Sequence, residues 1–295
     1  MTTTEPASRA VRALLEGAID YAGLFPPANL DLTGALAEYF AARSGDDSWA
    51  LGRFVIPAER LSALDPSTIP PGPVLHVTAL IGTGTADDVD TIERFNREMK
   101  PRALVDAVEA KAPGPGVARA VLAALPAEWT RYLEVAPGPG LEETLDLIAA
   151  RGAFAKVRTG GVTSEAIPDP ELLLDFLEGV VRRCLPFKAT AGLHHPIRGD
   201  HPLTYAPESP RGMLYGYLNL FGAAAELARG GFRDSARSIL LATDPDGFAV
   251  LPEGMRLGGE TFSVDDIESL RRLARGFGSC SFREPVDELA ILSPA

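Results

Sequence analysis

Cysteine is nearly missing from this chain: Cys184 and Cys280 are the only two. That rules out a disulfide framework and any zinc spacing, and it fits a reducing compartment, so a cytoplasmic location is expected. Lysine and arginine never concentrate in one stretch, and the net charge is −12. Nucleic acid and anionic membrane surfaces are therefore not expected partners. No apolar run of about 18 residues is present to span a bilayer, and residues 1–20 carry no basic-then-apolar leader. Histidine is scarce as well, with four in the chain, yet three of them fall together as His194, His195 and His201. No low-complexity linker divides the sequence.

What is present belongs to an ordinary globular protein, with 46% hydrophobic and 23% charged residues in 295. Only Thr2–Ser8 and Leu292–Ala295 look loose. The length suits a (β/α)8 barrel of about 250 residues. A first helix over Ala7–Glu16 leads into a short strand within Gly17–Phe25, and Asp31–Phe40 has helical spacing. Further strands are expected at Trp49–Ile56, Val74–Ile81, Ala103–Lys111 and Arg131–Ala136. Helices Ala86–Met99, Val117–Leu125 and Leu141–Arg151 alternate with them, the pattern of a parallel α/β protein.

The most informative stretch runs from Gly152 to Pro196 and reads strand, glycine turn, helix, strand, glycine turn. Its two strand pieces echo each other, Lys156-Val-Arg-Thr-Gly160 and Lys188-Ala-Thr-Ala-Gly192, with the lysines 32 positions apart, about one βαβ unit. Alternation puts Lys156 and Arg158 on one face, and Lys188, Thr190, Gly192 and His194 on the same face of the next strand. The other parity, Ala155, Val157, Phe187 and Ala189, is apolar enough to lie under helices. The lysines are then expected inside the barrel. Residues 197–262 exceed a simple loop and contain helical stretches at Gly212–Arg229 and Arg233–Ala242. They are expected as an insertion between strands seven and eight, a lid over the functional face. A helix at Val264–Arg275 and a strand within Gly276–Phe282 complete a single barrel domain over 1–295.

Three of these motifs, Ala153-Phe-Ala-Lys-Val-Arg-Thr-Gly-Gly161, Phe187-Lys-Ala-Thr-Ala-Gly192 and Gly276-Phe-Gly-Ser-Cys-Ser281, resemble strands six, seven and eight of the deoxyribose-phosphate aldolase type of class I aldolase. The resemblance implies a strand-six lysine, here Lys156, that forms a Schiff base with a carbonyl. It implies a second lysine, Lys188, that sets its proton balance, and a strand-four acid, for which Asp106 is the candidate. It also implies an anion held at the strand-seven and strand-eight turns, at Gly192 and Ser279 to Ser281. The chain departs from that pattern at His194-His195-Pro196, where small glycine-rich residues would stand.

The residues themselves support similar chemistry. An amine attacks a carbonyl only when unprotonated, and a neighbouring cation or desolvation favours that form. Lys156 has Lys188 and Arg158 beside it, and Glu134 on the preceding strand serves as proton acceptor or as structural counter-ion. The bland alternative for the lysines is a pair of buried cations balanced by carboxylates. Arg158 suits a carboxylate or phosphate, and Gly160 and Gly161 expose backbone N–H groups or merely permit a turn. Ser279 and Ser281 donate to the same anion or cap a helix. His194 and His195 are candidate substrate or proton-transfer residues. Adjacent histidines on an extended chain point opposite ways, which disfavours a shared metal. His76, on an apolar strand, is expected as a core histidine and Cys280 as a small buried residue.

The expectation is an aldolase-like lyase acting through a Lys156 imine on a small carbonyl compound with a carboxylate or phosphate, needing neither cofactor nor metal. Two alternatives stay open: a metal-dependent lyase or hydrolase built on His194, His195 and His201, and a non-catalytic small-anion binder. The apolar Gly212–Gly222 stretch fits a buried helix or a contact in a homo-oligomer.

Overall fold

A computed structural model describes residues 8–82 and 86–292. The expected loose ends lie outside these residues, apart from Ser8 and Leu292. Ser8 accepts a hydrogen bond from the Val11 N–H and starts α1 (Arg9–Leu15), which leads into β1 (Ile19–Tyr21). The Asp31 carboxylate caps α2 (Leu32–Ser44), and β2 (Leu51–Pro57) follows. Only 3-10 turns join β2 to β3 (Leu75–Ile81). Then come α3 (Ala86–Met99), β4 (Ala103–Ala112), α4 (Pro115–Ala124), β5 (Thr130–Val135), α5 (Leu141–Ala150) and β6 (Phe154–Arg158). Asp169 and Pro170 open α6 (Pro170–Arg182), the signature of a capped helix start. It returns to β7 (Phe187–Thr190).

The remaining elements are the hairpin strands β8 (Gly199–Pro202) and β9 (Arg211–Leu214), then α7 (Tyr217–Ala228) and α8 (Arg233–Leu241). A small antiparallel sheet follows, β10 (Ala249–Leu251), β11 (Gly254–Leu257) and β12 (Glu260–Ser263). The chain ends with α9 (Val264–Leu273), β13 (Ala274–Ser279) and α10 (Arg283–Ile291). Strands β1 to β7 and β13 close into an eight-stranded barrel in the order β1-β13-β7-β6-β5-β4-β3-β2. Every barrel pair is parallel. This is the (β/α)8 fold expected from the strand-helix alternation.

The apolar parity of the central unit behaves as its pattern demands. Ala155, Val157, Phe187 and Ala189 are fully buried, and Phe187 meets Phe176 of α6 edge-on at 5.6 Å. Lys156 and Lys188 lie opposite each other in register, so their side chains leave neighbouring strands on the same inward face.

Residues 197–262 do not form the single lid expected. The β8–β9 hairpin alone lines the cavity described below, through Pro202, Leu203 and Leu214. Helix α7 packs against α6, α9 and β13, the position of the barrel's own helix after strand seven. Helix α8 packs on α6 and α7, and β11 touches α1, α7 and α9. Nor is Gly212–Arg229 one helix. Arg211–Leu214 pairs antiparallel with Gly199–Pro202, and this nonlocal pairing overrides the local apolar pattern. Helix α9 also stops at Leu273, two residues early, because Ala274 already pairs with Phe187 in the barrel. No helix among the described residues is long and apolar enough to cross a membrane.

Candidate active site

Inside the barrel, β6 and β7 place two lysines among three carboxylates. Lys156 Nζ lies 2.5 Å from Glu109 Oε2 and 2.8 Å from Glu134 Oε2. Lys188 Nζ donates to Glu109 Oε1 at 2.6 Å and to Asp20. Glu109 therefore bridges the lysines, one oxygen to each. Lys156 is 3% exposed, Lys188 1% and Glu109 2%. Tyr132 places its ring 5.1 Å from Lys188 Nζ. Burial pushes the Glu109 carboxyl upward, but the two ammonium groups outweigh it and hold it down at about 2. Burial likewise opposes charge on Lys188, and Asp20 and Glu109 overcome it, so its pKa is raised. The lysines do not act on each other as bare cations, as the sequence suggested, because a carboxylate stands between them. The lysines are thus a pair of buried cations balanced by carboxylates, as the bland alternative has it.

Asp106 is not part of it. Its carboxylate takes a two-pronged bond from Arg53, at 2.8 and 3.2 Å, and lies 2.9 Å from His76 Nδ1. These bonds outweigh burial and keep its pKa low. The strand-four acid beside the lysines is Glu109. A register shift explains the miss: Val77 pairs with Val105, while the next residue, Thr78, pairs with Ala107, leaving Asp106 as the extra residue of a bulge. The inward parity changes across the bulge, and plain alternation does not reveal it. Asp20 was missed as well. Its one sequence trace is Gly52, where an added Cβ would lie 2.4 Å from Asp20 Oδ1, while the adjacent Arg53 N–H donates to that oxygen at 2.7 Å. His76 is exposed on its strand, not a core histidine.

Above this floor opens a cavity of about 520 Å³. Of the expected residues, Lys156, Arg158, Gly161, Thr190, Gly192, His194 and His195 line it, together with Glu109. Lys188 and Glu134 reach it only through their bonds to Glu109 and Lys156. Arg158 has no carboxylate partner among the described residues; its guanidinium lies 3.5 Å from Gly160 O. Gly160 and Gly192 serve close packing of the strand-six and strand-seven turns. A Cβ on Gly160 would sit 3.3 Å from Gly192 Cα, and Gly192 has a φ of +77°. Ser279 and Ser281 do not line the cavity, whose strand-eight wall is Gly278 and Cys280. Ser281 Oγ instead accepts from Glu284 N–H in the first turn of α10, the helix-cap alternative. Ser279 Oγ accepts from Ser281 N–H and contacts His194 Nδ1 at 3.3 Å.

The two adjacent histidines do not point apart. Both reach α10, His194 to Glu284 at 3.3 Å and His195 to Glu288 at 2.8 Å, one helical turn apart. His195 stacks on His201 at 3.6 Å. Burial, with the His195 and Arg211 charges, pushes the His201 ring down to about 4. Among the described residues no group of three or more His, Cys, Asp or Glu side chains is arranged to hold a metal ion. Cys280 is buried, as expected, but it contacts His194. Tyr215 and Asn219 bond to backbone carbonyls, Tyr215 to Pro168 and Asn219 to Ile239 and Ala242, so both are packing residues.

No protein-family model matches the chain, and a search of curated proteins finds no match either.

Proposed function

We propose that the protein is a Schiff-base lyase of the aldolase kind, acting on a small carbonyl compound that carries a carboxylate or phosphate. The observation that carries this reading is Lys156: a buried amine at the floor of a cavity, flanked by Glu109 and Glu134. A charged lysine cannot attack a carbonyl, and this one is paired with anions. Activation is therefore an internal proton transfer from Lys156 to Glu134, 2.8 Å away, which leaves the net charge of the cluster unchanged. In a dehydrated site such a neutral amine–acid pair competes with the ion pair, because the desolvation of both charges is relieved. Lys188, itself paired with Asp20, holds Glu109 in place and keeps it anionic. The cationic imine that follows sits against the remaining carboxylate. The same carboxylates then move protons at the carbon next to the imine. Arg158, with no carboxylate partner among the described residues, suits the substrate's anionic end.

The resemblance of the strand-six to strand-eight motifs to deoxyribose-phosphate aldolases supports this chemistry, with Glu109 taking the acid role expected of Asp106. The test is borohydride reduction with a panel of small aldehydes, ketones and keto acids, followed by peptide mass mapping. A reduced adduct on Lys156, absent from Lys156→Met, is the expected result. No adduct with any member of the panel, in folded protein, would sink the imine mechanism.

A further inference from the structure

The cavity holds a second nucleophile that the imine chemistry does not use. Cys280 follows β13 directly, and its Sγ lies 3.7 Å from His194 Nδ1 and 3.9 Å from Nε2. The sulfur sees both ring nitrogens almost equally, so a small rotation of the imidazole brings either one to it. The same ring contacts Glu284 Oε2 at 3.3 Å. Tyr205, on the loop between β8 and β9, donates its hydroxyl to Glu284 at 3.0 Å and stands 3.6 Å from the thiol. Cys280, His194, Tyr205 and Glu284 all line the cavity that has Lys156 at its floor. Cys280 is 4% exposed and His194 8%, so their charges would be shielded from bulk water yet open to a molecule in the cavity.

We propose that Cys280, with His194 as its proton partner and Glu284 orienting the imidazole, is a nucleophilic thiol that captures small aldehydes in this cavity. Thiol and imidazole exchange the sulfur proton, giving a thiolate beside an imidazolium. The thiolate attacks the aldehyde carbon, a carbon–sulfur bond forms, and the π pair of the C=O bond moves to oxygen. That oxygen takes the proton from His194. The product is a hemithioacetal; nothing is oxidised or reduced, and the step reverses by the same path.

The surroundings favour the charged imidazole. Burial disfavours charge on His194, but Cys280 and Glu284 more than offset it and raise its pKa to about 10. Glu284 is correspondingly held below its usual range, burial being outweighed by His194 and Tyr205. Tyr21 and Tyr205 also feel the sulfur, and both are raised, by burial first. They therefore stay neutral and do not compete for the charge. A nucleophilic cysteine needs a cationic neighbour of this kind.

Cys184 supplies an internal control, being the other free cysteine and exposed. Iodoacetamide labelling near pH 6.5, read by peptide mass, is expected to modify buried Cys280 about tenfold faster than exposed Cys184. In His194→Gln that advantage should vanish, and in Glu284→Gln, a change on a partly exposed helix side chain, it should fall about threefold. Glycolaldehyde should slow labelling of Cys280, reversibly on dialysis, in Lys156→Met as in wild type. Protection in the lysine variant separates thiol capture from imine formation, so either idea can fail alone. Slower labelling of Cys280 than of Cys184 throughout pH 6–9 would overturn the reactive thiol. Fast labelling without protection by the aldehyde would overturn the aldehyde assignment.

Discussion

The floor and the rim of the cavity solve the same problem, burying charge, in opposite ways. At the floor, Lys156, Lys188, Glu109, Glu134 and Asp20 all project from barrel strands, and each charge touches an opposite one. At the rim, His194, His195, Tyr205, Glu284 and Glu288 come from turns and from α10, and the pairings run from loop to helix. Strand register sets the floor. The rim is held by side chains whose backbones lie outside the barrel strands. Charge balance is therefore a structural necessity at the floor and an adjustable property at the rim.

That difference should appear most strongly in stability. Glu109→Gln leaves two buried ammonium groups without their shared anion, and breaking a buried pair this way costs about 3–5 kcal/mol. Urea unfolding at neutral pH should register that loss. A cost below about 1 kcal/mol would mean that the floor is no tighter than an exposed ion pair. The pH dependence points the same way. The Glu109 pKa is lowered in the fold to about 2, against about 4.3 in an unfolded chain. Its stabilisation is complete above the unfolded value and disappears as pH falls from about 4 toward about 2. Wild type should lose stability through that window, and Glu109→Gln should lose less.

The rim titrates in the other direction. His194 is raised to about 10, from about 6.5 unfolded. Its contribution is fully present below the unfolded value and is lost as pH rises from about 6.5 through about 10. Melting temperature should therefore decline across that range in wild type and stay flatter in His194→Gln. At pH 6 the substitution itself should cost about 1.5–3 kcal/mol, the range for hydrogen bonds to charged groups. Equal alkaline slopes in the two proteins would show that the imidazole is not the charged partner.

The two regions also differed in how far the sequence could disclose them. The repeated Lys-x-x-x-Gly strands announced themselves because a strand's side chains alternate with a fixed period, so Lys156, Lys188 and their apolar partners could be assigned to opposite faces. Glu134 followed from being on the neighbouring strand. Period-two reasoning broke at Glu109, because Asp106 occupies a bulge and the inward parity changes after it. Asp20 sits on a three-residue strand, too short to show a period. At the rim the limits were different. That His194 and His195 both meet one helix about 90 residues later depends on where α10 docks, which no local pattern encodes. Residues 197–262 misled for a related reason, since the pairing of β8 with β9 and the docking of α7 are nonlocal.

The weakest effect on stability, and the sharpest on binding, is expected at Arg158. It ends β6 just two residues beyond Lys156, yet it is exposed and has no carboxylate partner among the described residues. Arg158→Gln removes no buried pair, so unfolding free energy should change by no more than about 0.5 kcal/mol. Affinity for a small anion is another matter. If the guanidinium clamps the substrate's acid group, titration with pyruvate or inorganic phosphate should show binding weakened about ten- to a hundredfold, matching about 1.5–3 kcal/mol of charge-assisted hydrogen bonding. A variant that is both as stable as wild type and as good an anion binder would remove Arg158 from the site. The anion would then have to be held by the backbone N–H groups of the strand-six and strand-seven turns, where Gly161 and Gly192 already line the cavity.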